Sequence, residues 1–203
     1  FFSQNTFVLF DETSEAIIID PGCYFEEEKQ TLLNFIKENK LVLKKVVYTH
    51  CHLDHVFGSN FIKIKYPEVS HECNELEISF NNNYSHFASA YGIKMEKPAD
   101  ITHMLEDRET ISFGNTSLDT ILIPGHSPGS LCFYCKADNI VITGDVLFSG
   151  SIGRSDLPGG NHEQLIDGIK KRLLTLPEET QVYPGHGLST TIGIEKHSNP
   201  FLN

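Results

Sequence analysis

Long apolar stretches are missing from this 203-residue chain, and no run approaches the roughly 20 residues that a bilayer-spanning helix requires. The sequence therefore predicts no membrane association. The opening Phe1-Phe2-Ser3-Gln4 also lacks the basic flank and the apolar core of a secretory signal peptide. Because the first residue is not Met, we expect that the start has been trimmed.

Basic residues are scarce. The chain has 16 Lys and Arg against 27 Asp and Glu, which gives a formal net charge of -11. Nucleic-acid binding relies on Lys and Arg to neutralise phosphates and to release counterions. The charge therefore argues against nucleic acid as a substrate or partner.

The cysteines do not form a disulfide framework. They are five in number, an odd count, at Cys23, Cys51, Cys73, Cys132 and Cys135, and this scatter predicts a reducing, cytoplasmic location. Cys132 and Cys135 form a CxxC pair inside an alternating strand pattern, where residues three apart point to opposite faces. We therefore expect no metal shared between these two.

The order of elements predicts a layered α/β protein. Residues 6–10 and 16–20 read as a β-hairpin, 25–40 as an amphipathic helix and 43–49 as a strand. Shorter helices are predicted at 57–66, 73–80 and 84–91, and a later helix is predicted to follow a capping Asn161. Further strands are predicted at 101–105, 110–113, 118–123, 131–134, 140–143 and 181–183. Two comparable halves favour a four-layer αββα sandwich, with residues 1–203 as a single domain.

The densest chemical signal is Thr49-His50-Cys51-His52-Leu53-Asp54-His55, which places four ligand-type side chains within six residues at the end of a strand. In an extended loop, His50, His52 and Asp54 would project to one side and His55 to the other, so that one segment could serve two ions. Imidazole and carboxylate groups suit zinc. A loop of solvated polar residues is the alternative, and the density of the cluster disfavours it.

Three glycine-flanked turns add ligand-type residues, each placed just after an apolar strand. They are Gly125-His126-Ser127-Pro128-Gly129, Gly144-Asp145 and Gly185-His186-Gly187. Together with the cluster they make seven potential ligands, whereas a tetrahedral zinc needs four. Two ions are therefore predicted, with Asp145 as the candidate bridge.

The order HxHxDH, then His, then Asp, then His resembles the metallo-β-lactamase superfamily across nearly the whole chain. The resemblance implies a first ion held by His50, His52 and His126, and a second held by Asp54, His55 and His186, with Asp145 shared. It further implies that Asp20, in Ile19-Asp20-Pro21-Gly22, supports the site from behind the ligands. A simple turn-forming role for Asp20 is the alternative.

Within that superfamily, residues 148–160, 191–193 and 199–202 resemble small bacterial glyoxalase II-like enzymes, which are relatives of hydroxyacylglutathione hydrolases. The larger members append a helical glutathione-binding domain, and this chain ends before one. Arg154 matches a basic residue that meets glutathione in the family, whereas Asp156 stands where a tyrosine is found. Arg154 is thus either a carboxylate anchor for the substrate or a structural partner of Asp156.

The resemblance implies hydrolysis of a small-molecule thioester such as S-lactoylglutathione by a hydroxide that two divalent ions supply. The ions are expected to be zinc, with iron or manganese as alternatives. Asp54 and Asp145 are the catalytic candidates, with Asp54 orienting the nucleophile, and no serine or cysteine nucleophile is required.

Two alternatives stay open, namely a mononuclear iron enzyme resembling persulfide dioxygenases and a non-catalytic metal-binding protein of the same fold. The segment Ser151-Ile152-Gly153-Arg154 favours the hydrolase over the dioxygenase. A β-lactamase is disfavoured because Asp145 stands where enzymes lacking the bridge use cysteine. Gly58, where lactonases are expected to carry histidine, disfavours a lactonase.

Overall fold

The structure is a computed structural model that describes residues 2–203. The first half of the chain builds one sheet and the helices that cover it. Its strands and helices are β1 Phe7–Phe10, β2 Glu15–Ile19, α1 Glu26–Glu38, β3 Val42–Val47, α2 Leu53–Val56, α3 Ser59–Lys65, β4 Ser70–Cys73, α4 Ile78–Asn82, α5 Tyr84–Ala90 and β5 His103–Met104. A 3-10 turn at Glu75–Glu77 precedes α4.

The second half builds the other sheet. Its elements are β6 Thr110–Phe113, β7 Thr116–Leu122, β8 Leu131–Cys135, β9 Ile140–Gly144, β10 Leu147–Phe148, β11 Ser151–Ile152, α6 His162–Gly168, β12 Gln181–Pro184, β13 Thr190–Thr191 and α7 Ile192–Ser198. The helix after the predicted Asn161 cap continues from α6 into a π-helical stretch at Ile169–Leu173. Asn161 caps it as expected, because its side chain accepts a hydrogen bond from the Gln164 amide at 3.0 Å.

Each sheet mixes parallel and antiparallel pairs. The first has the order β1-β2-β3-β4-β5, and only its β1–β2 pair is antiparallel. The second has the order β13-β12-β9-β8-β7-β6, and only its β12–β9 pair is parallel. In both sheets, successive side chains of a strand point to opposite faces, so that alternate residues pack against different layers.

The buried side chains confirm the four-layer αββα sandwich. Ile17, Ile19 and Val47 of the first sheet pack against Leu118 and Phe133 of the second, which forms the central core. The opposite faces carry the helices. In the first outer core Ile18, Val46 and Tyr48 meet residues of α1 and α3, and in the second Cys132, Val141 and Val182 meet residues of α6 and α7. Because these apolar faces are buried on both sides of each sheet, the strands lie in the interior.

The cysteines behave as the sequence predicted. All five are free and buried. Cys132 packs into the outer core and Cys135 into the central one, so the CxxC pair points to opposite faces of β8. Among the described residues, no helix is both long enough and apolar enough to span a bilayer.

The expectation of an extended ligand loop is wrong for its second half. Leu53–Val56 form a single helical turn, in which the His55 amide donates to the His52 carbonyl at 3.0 Å. Asp54 and His55 therefore leave the backbone from a helical turn, while His50 and His52 precede it. This change of direction, and not strand alternation, separates the two ligand groups.

Candidate metal centre

Four chain segments deliver the seven predicted ligands to one edge of the sandwich. His50 follows β3 of the first sheet. His126, Asp145 and His186 follow β7, β9 and β12 of the second sheet. The structure thus brings together all seven residues that the sequence singled out, and they form three overlapping triads of candidate ligand atoms.

The first group consists of three imidazoles. His50 Nε2 lies 3.1 Å from His52 Nδ1 and 3.2 Å from His126 Nε2, and His126 Nε2 lies 3.0 Å from His52 Nδ1. His50 and His126 are buried, and the ring of His52 is half-buried. Three nitrogens at these mutual distances surround a point at which all three could bind the same ion.

The second group consists of Asp54, His55 and His186. His186 Nε2 lies 3.1 Å from Asp54 Oδ2, and His55 Nε2 lies 3.9 Å from the same oxygen. Asp145 lies between the groups, since its Oδ2 is 3.6 Å from His126 Nε2 and 3.5 Å from His186 Nε2, while its Oδ1 is 3.4 Å from His55 Nε2. One carboxylate therefore touches ligands of both groups.

The partners of the other ring nitrogens fix which atom of each histidine faces the centre. His126 Nδ1 donates to the Arg154 carbonyl at 2.8 Å, and His186 Nδ1 donates to the Phe2 carbonyl at 3.2 Å. Because a carbonyl only accepts, Nδ1 of each ring keeps its proton, and the remaining Nε2 faces the centre as the atom that could bind a cation.

Asp20 and Thr49 fix the other two buried rings. The Asp20 carboxylate accepts from the Thr49 amide at 2.7 Å, the Thr49 hydroxyl at 2.6 Å and His55 Nδ1 at 2.9 Å. Since the single hydroxyl proton of Thr49 points to Asp20, its oxygen accepts from His50 Nδ1 at 3.1 Å. Asp20 is fully buried and has a φ of 51°, a left-handed conformation that Asp tolerates better than most residues. The structure thus places Asp20 directly behind the ligand His55.

The electrostatics favour the metal-binding forms of most ligands. Burial, reinforced by the neighbouring histidines, holds the pKa of His50 well below its usual value, and the same causes lower the pKa of His52 to about 3. Burial also lowers the pKa of His126. These three rings are therefore neutral near pH 7, which is the form that binds a cation.

The carboxylates of the centre stay ionised. Burial alone would raise the pKa of Asp54 and Asp145, but nearby histidines, His55 foremost, outweigh it and lower both values. The same contacts act in reverse on His55, whose pKa rises well above its usual value because Asp145, Asp20 and Asp54 outweigh its burial. A cation that binds at His55 must therefore displace a proton.

The residues present fit a pair of divalent metal ions. His55 Nε2 and Asp145 Oδ1 are buried and lie 3.4 Å apart, and neither atom makes a well-aligned hydrogen bond, a costly state for polar atoms unless they bind something else. The donor set is five imidazoles and two carboxylates, which is the set expected for zinc or for iron and manganese. A Cβ at Gly185 would collide with Asp145 Oδ1 and lie 2.9 Å from His55 Cε1, so glycine leaves the room that these ligands need.

Glu77 is a site residue that the sequence analysis missed. It is fully buried, and it accepts hydrogen bonds from the Cys51 amide at 2.9 Å, the Gly129 amide at 2.7 Å and the Ser127 hydroxyl. These hydrogen bonds hold the His50–His55 segment next to the turn that carries His126. Its only sequence signal was that of one of two acidic residues, Glu75 and Glu77, in a predicted helix, and such residues normally occupy solvated positions.

A cleft of about 480 Å³ opens in front of the centre. Arg154 lines it, but its Nε and Nη2 both donate to the Asp156 carboxylate at 2.8 Å. Asp156 and Arg154 are exposed, and their hydrogen bonds and mutual attraction raise the pKa of Arg154 and lower that of Asp156 to about 2. Whether Arg154 also anchors a substrate stays a prediction.

Two curated relatives match almost the whole chain. A probable metallo-hydrolase of Bacillus subtilis, YqgX, is 39% identical over 98% of this chain and 92% of its own length. The hydroxyacylglutathione hydrolase GloC of Haemophilus influenzae is 36% identical over 100% of this chain and 94% of its own length. These relatives and the convergent ligand set show a metal-dependent hydrolase.

Solved structures agree with the fold and with metal binding. BLEG-1, described as a B3 metallo-β-lactamase, has a TM-score of 0.87 and 34% identity, covering 100% of this chain and 95% of its own. TTHA1623, solved in a di-iron-bound form, also has a TM-score of 0.87 and 34% identity, covering 99% of this chain and 96% of its own. The family model of the metallo-beta-lactamase superfamily matches residues 1–186. The chain therefore belongs to the metallo-β-lactamase superfamily.

Proposed function

We propose that this protein hydrolyses thioesters at a two-metal centre in a glyoxalase II-like reaction. The observation that carries the proposal is the position of Asp145, whose two oxygens touch ligands of both the first and the second group. A shared carboxylate of this kind is typical of paired ions roughly 3.5–4 Å apart. The hydrolase GloC, a full-length relative, supports the choice of thioester.

Two divalent ions, most readily zinc, would lower the pKa of a bound water towards about 7 and polarise the substrate carbonyl. Asp54 would orient the attacking water. Its carboxylate lines the cleft and is only partly buried, and one of its oxygens contacts His186. The leaving thiolate is stable enough to depart without a strong acid.

No side-chain nucleophile is needed. Cys51 lies between two ligands, but a hydrogen bond with Cys73 and burial raise the pKa of its thiol well above the ordinary value. A thiol that stays protonated is a poor nucleophile. The free, buried state of all five cysteines also supports our expectation of a reducing, cytoplasmic location.

The proposal is tested by following thioester cleavage, oxygen uptake and β-lactam opening side by side on one sample of defined metal content. We expect S-lactoylglutathione or a simpler thioester to be cleaved, with no oxygen consumed in the presence of glutathione persulfide. Oxygen uptake with persulfide and no thioester cleavage would instead favour the mononuclear iron alternative. β-Lactam opening alone would favour the activity for which BLEG-1 is named.

A matched pair of variants assigns any turnover to the centre. His186→Ala removes a ligand of the second group and is expected to abolish most activity. His197→Ala removes an exposed histidine that pairs with Glu178 far from the ligands and should leave turnover unchanged. Metal-loaded protein inert to every substrate would indicate a non-catalytic metal-binding role.

A further inference from the structure

The wall of the cleft beside the first ligand group is aromatic. The ring of Phe80 lies 5.7 Å from the ring of His52 and stacks at 5.7 Å on Phe87. Tyr91, at the end of α5, lines the same cleft with 57% of its surface exposed. The rest of the lining outside the ligands is also largely apolar and includes Phe2, Leu53, Ala90, Leu157 and Pro158.

Apart from the two divalent ions that the proposed centre would hold, positive charge is nearly absent from the lining of this cleft. Among the described residues that line it, Arg154 is the single Lys or Arg side chain. Two of its donors are bound by Asp156, so the pair carries no net charge.

We propose, resting on the thioester hydrolysis proposed above, that the part of the substrate beyond the reacting carbonyl is uncharged and apolar. The aromatic wall holds this part, and Asp156 is the residue that discriminates against anionic thiol carriers. A tripeptide thiol such as glutathione has two carboxylates at neutral pH, and each needs a cationic partner once it leaves water. The cleft offers one guanidinium, and a substrate carboxylate must compete with Asp156 for it.

The apolar group can belong to the acyl part or to the thiol part, because both lie beside the reacting carbonyl. Four thioesters separate these sources, namely the lactoyl and hexanoyl esters of glutathione and of N-acetylcysteamine, an uncharged thiol. We expect kcat/KM to be about two- to fivefold higher on the uncharged carrier for the same acyl group, the range of one exposed charge contact. If the hexanoyl ester has a higher kcat/KM than the lactoyl ester on the same carrier, the aromatic wall binds the acyl part of the substrate.

Two variants with matched controls test the named residues. Asp156→Asn removes the carboxylate that pairs with the Arg154 guanidinium, so that the guanidinium can bind a substrate carboxylate. This variant should raise kcat/KM for the glutathione esters about two- to fivefold, the range of an exposed ion pair. The values for the uncharged esters should not change. Asp167→Asn removes an equally exposed carboxylate, paired with Lys171 outside the cleft, and should change neither. Tyr91→Ala should lower kcat/KM for the preferred apolar ester about threefold or more, whereas Phe201→Ala, also an exposed ring, should not.

Each outcome decides between the two proposals. If wild type cleaves thioesters but prefers the glutathione carrier, or shows no preference, this inference is overturned and the thioesterase proposal stands. If none of the four esters is cleaved by metal-loaded protein, the proposed function itself fails and the inference fails with it.

Discussion

Glu77 shows how a single residue outside the ligand set can hold a metal centre together. Its carboxylate accepts hydrogen bonds from Cys51 in one ligand segment and from Ser127 and Gly129 in the other. Burial raises its pKa, and the three donors oppose that rise. A side-chain amide in its place would accept these donors less well, because its NH2 group donates two N–H groups and cannot accept.

We therefore expect Glu77→Gln to lower metal affinity or turnover about 10- to 100-fold, the range found for residues that orient metal ligands. The visible spectrum of the cobalt-substituted protein should change as well, because the geometry of the first group is altered. Glu75→Gln, an exposed position in the same 3-10 turn, is the control and should behave as wild type. An unchanged cobalt spectrum in Glu77→Gln would contradict the positioning role.

His71 makes a second prediction at the residue scale, this time about stability. It is fully buried beside Tyr48, and its Nδ1 lies 2.7 Å from the tyrosine hydroxyl. Burial lowers its pKa to about 4 from the ordinary 6.5. Between these two values the unfolded chain binds the proton and the folded protein does not, so stability is lost as the pH falls.

This histidine alone should cost wild type about 2 kcal/mol of unfolding free energy between about pH 7 and about pH 5. His71→Gln lacks the titrating group, so its stability should fall less over the same interval. Denaturant unfolding of both chelator-treated proteins at the two pH values measures how much unfolding free energy each one loses. The other histidines are common to both proteins, so their contributions cancel in the comparison. Equal losses in the two proteins would show that His71 does not titrate as described.

At the scale of elements, the ligand-bearing turns depend on close approaches that only glycine permits. Gly185 lies between Asp145 and His55, where a Cβ would strike a carboxylate oxygen. We expect Gly185→Ala to displace that carboxylate and to reduce metal content and turnover at least about tenfold, because about 1 Å of misplacement can cost far more. Metal analysis and activity are measured together.

Gly150→Ala is the control for this substitution. Gly150 also has a restrictive backbone, with a φ of 69°, but a Cβ there meets nothing within 4 Å. Its variant should lose about 1 kcal/mol of stability from backbone strain and retain activity. If both variants kept full metal content, the lack of a side chain at Gly185 would not be needed for metal binding.

Much of the element order could be predicted from periodicity. The first hairpin, the long helix and β6 to β9 lie within a few residues of their predicted positions because their apolar patterns are strong. The sequence missed β4 at Ser70–Cys73, whose residues Ser-His-Glu-Cys carry no apolar alternation, and α7, which has only seven residues. It also missed the helical turn at Leu53–Val56, because four residues give no period.

The convergence of the seven candidate ligands was predictable for a different reason. His, Asp and Gly at strand ends have few structural explanations, so their residue types alone pointed to metal. The supporting roles of Glu77 and Thr49 were not predictable, because they depend on hydrogen bonds between segments distant in sequence. Asp20 was anticipated only through the family resemblance.

At the scale of the whole molecule, the sandwich makes the centre by closing two sheets on each other. His50 to His55 follow a strand of the first sheet, and His126, Asp145 and His186 follow strands of the second. Neither half holds a complete ligand group alone, since each triad of candidate ligands draws on both halves. Metal binding and the packing of the two sheets are therefore coupled, and an ion that binds only the folded chain stabilises it.

The pairing of two ions on one shared carboxylate is the central claim, and counting bound metal tests it most directly. Chelator-stripped protein is titrated with zinc in a calorimeter, and the bound metal is then measured by elemental analysis. We predict two ions per chain in wild type, and at most one ion with most turnover lost in Asp145→Ala. A single ion in wild type, or two ions and full turnover in Asp145→Ala, would contradict the account.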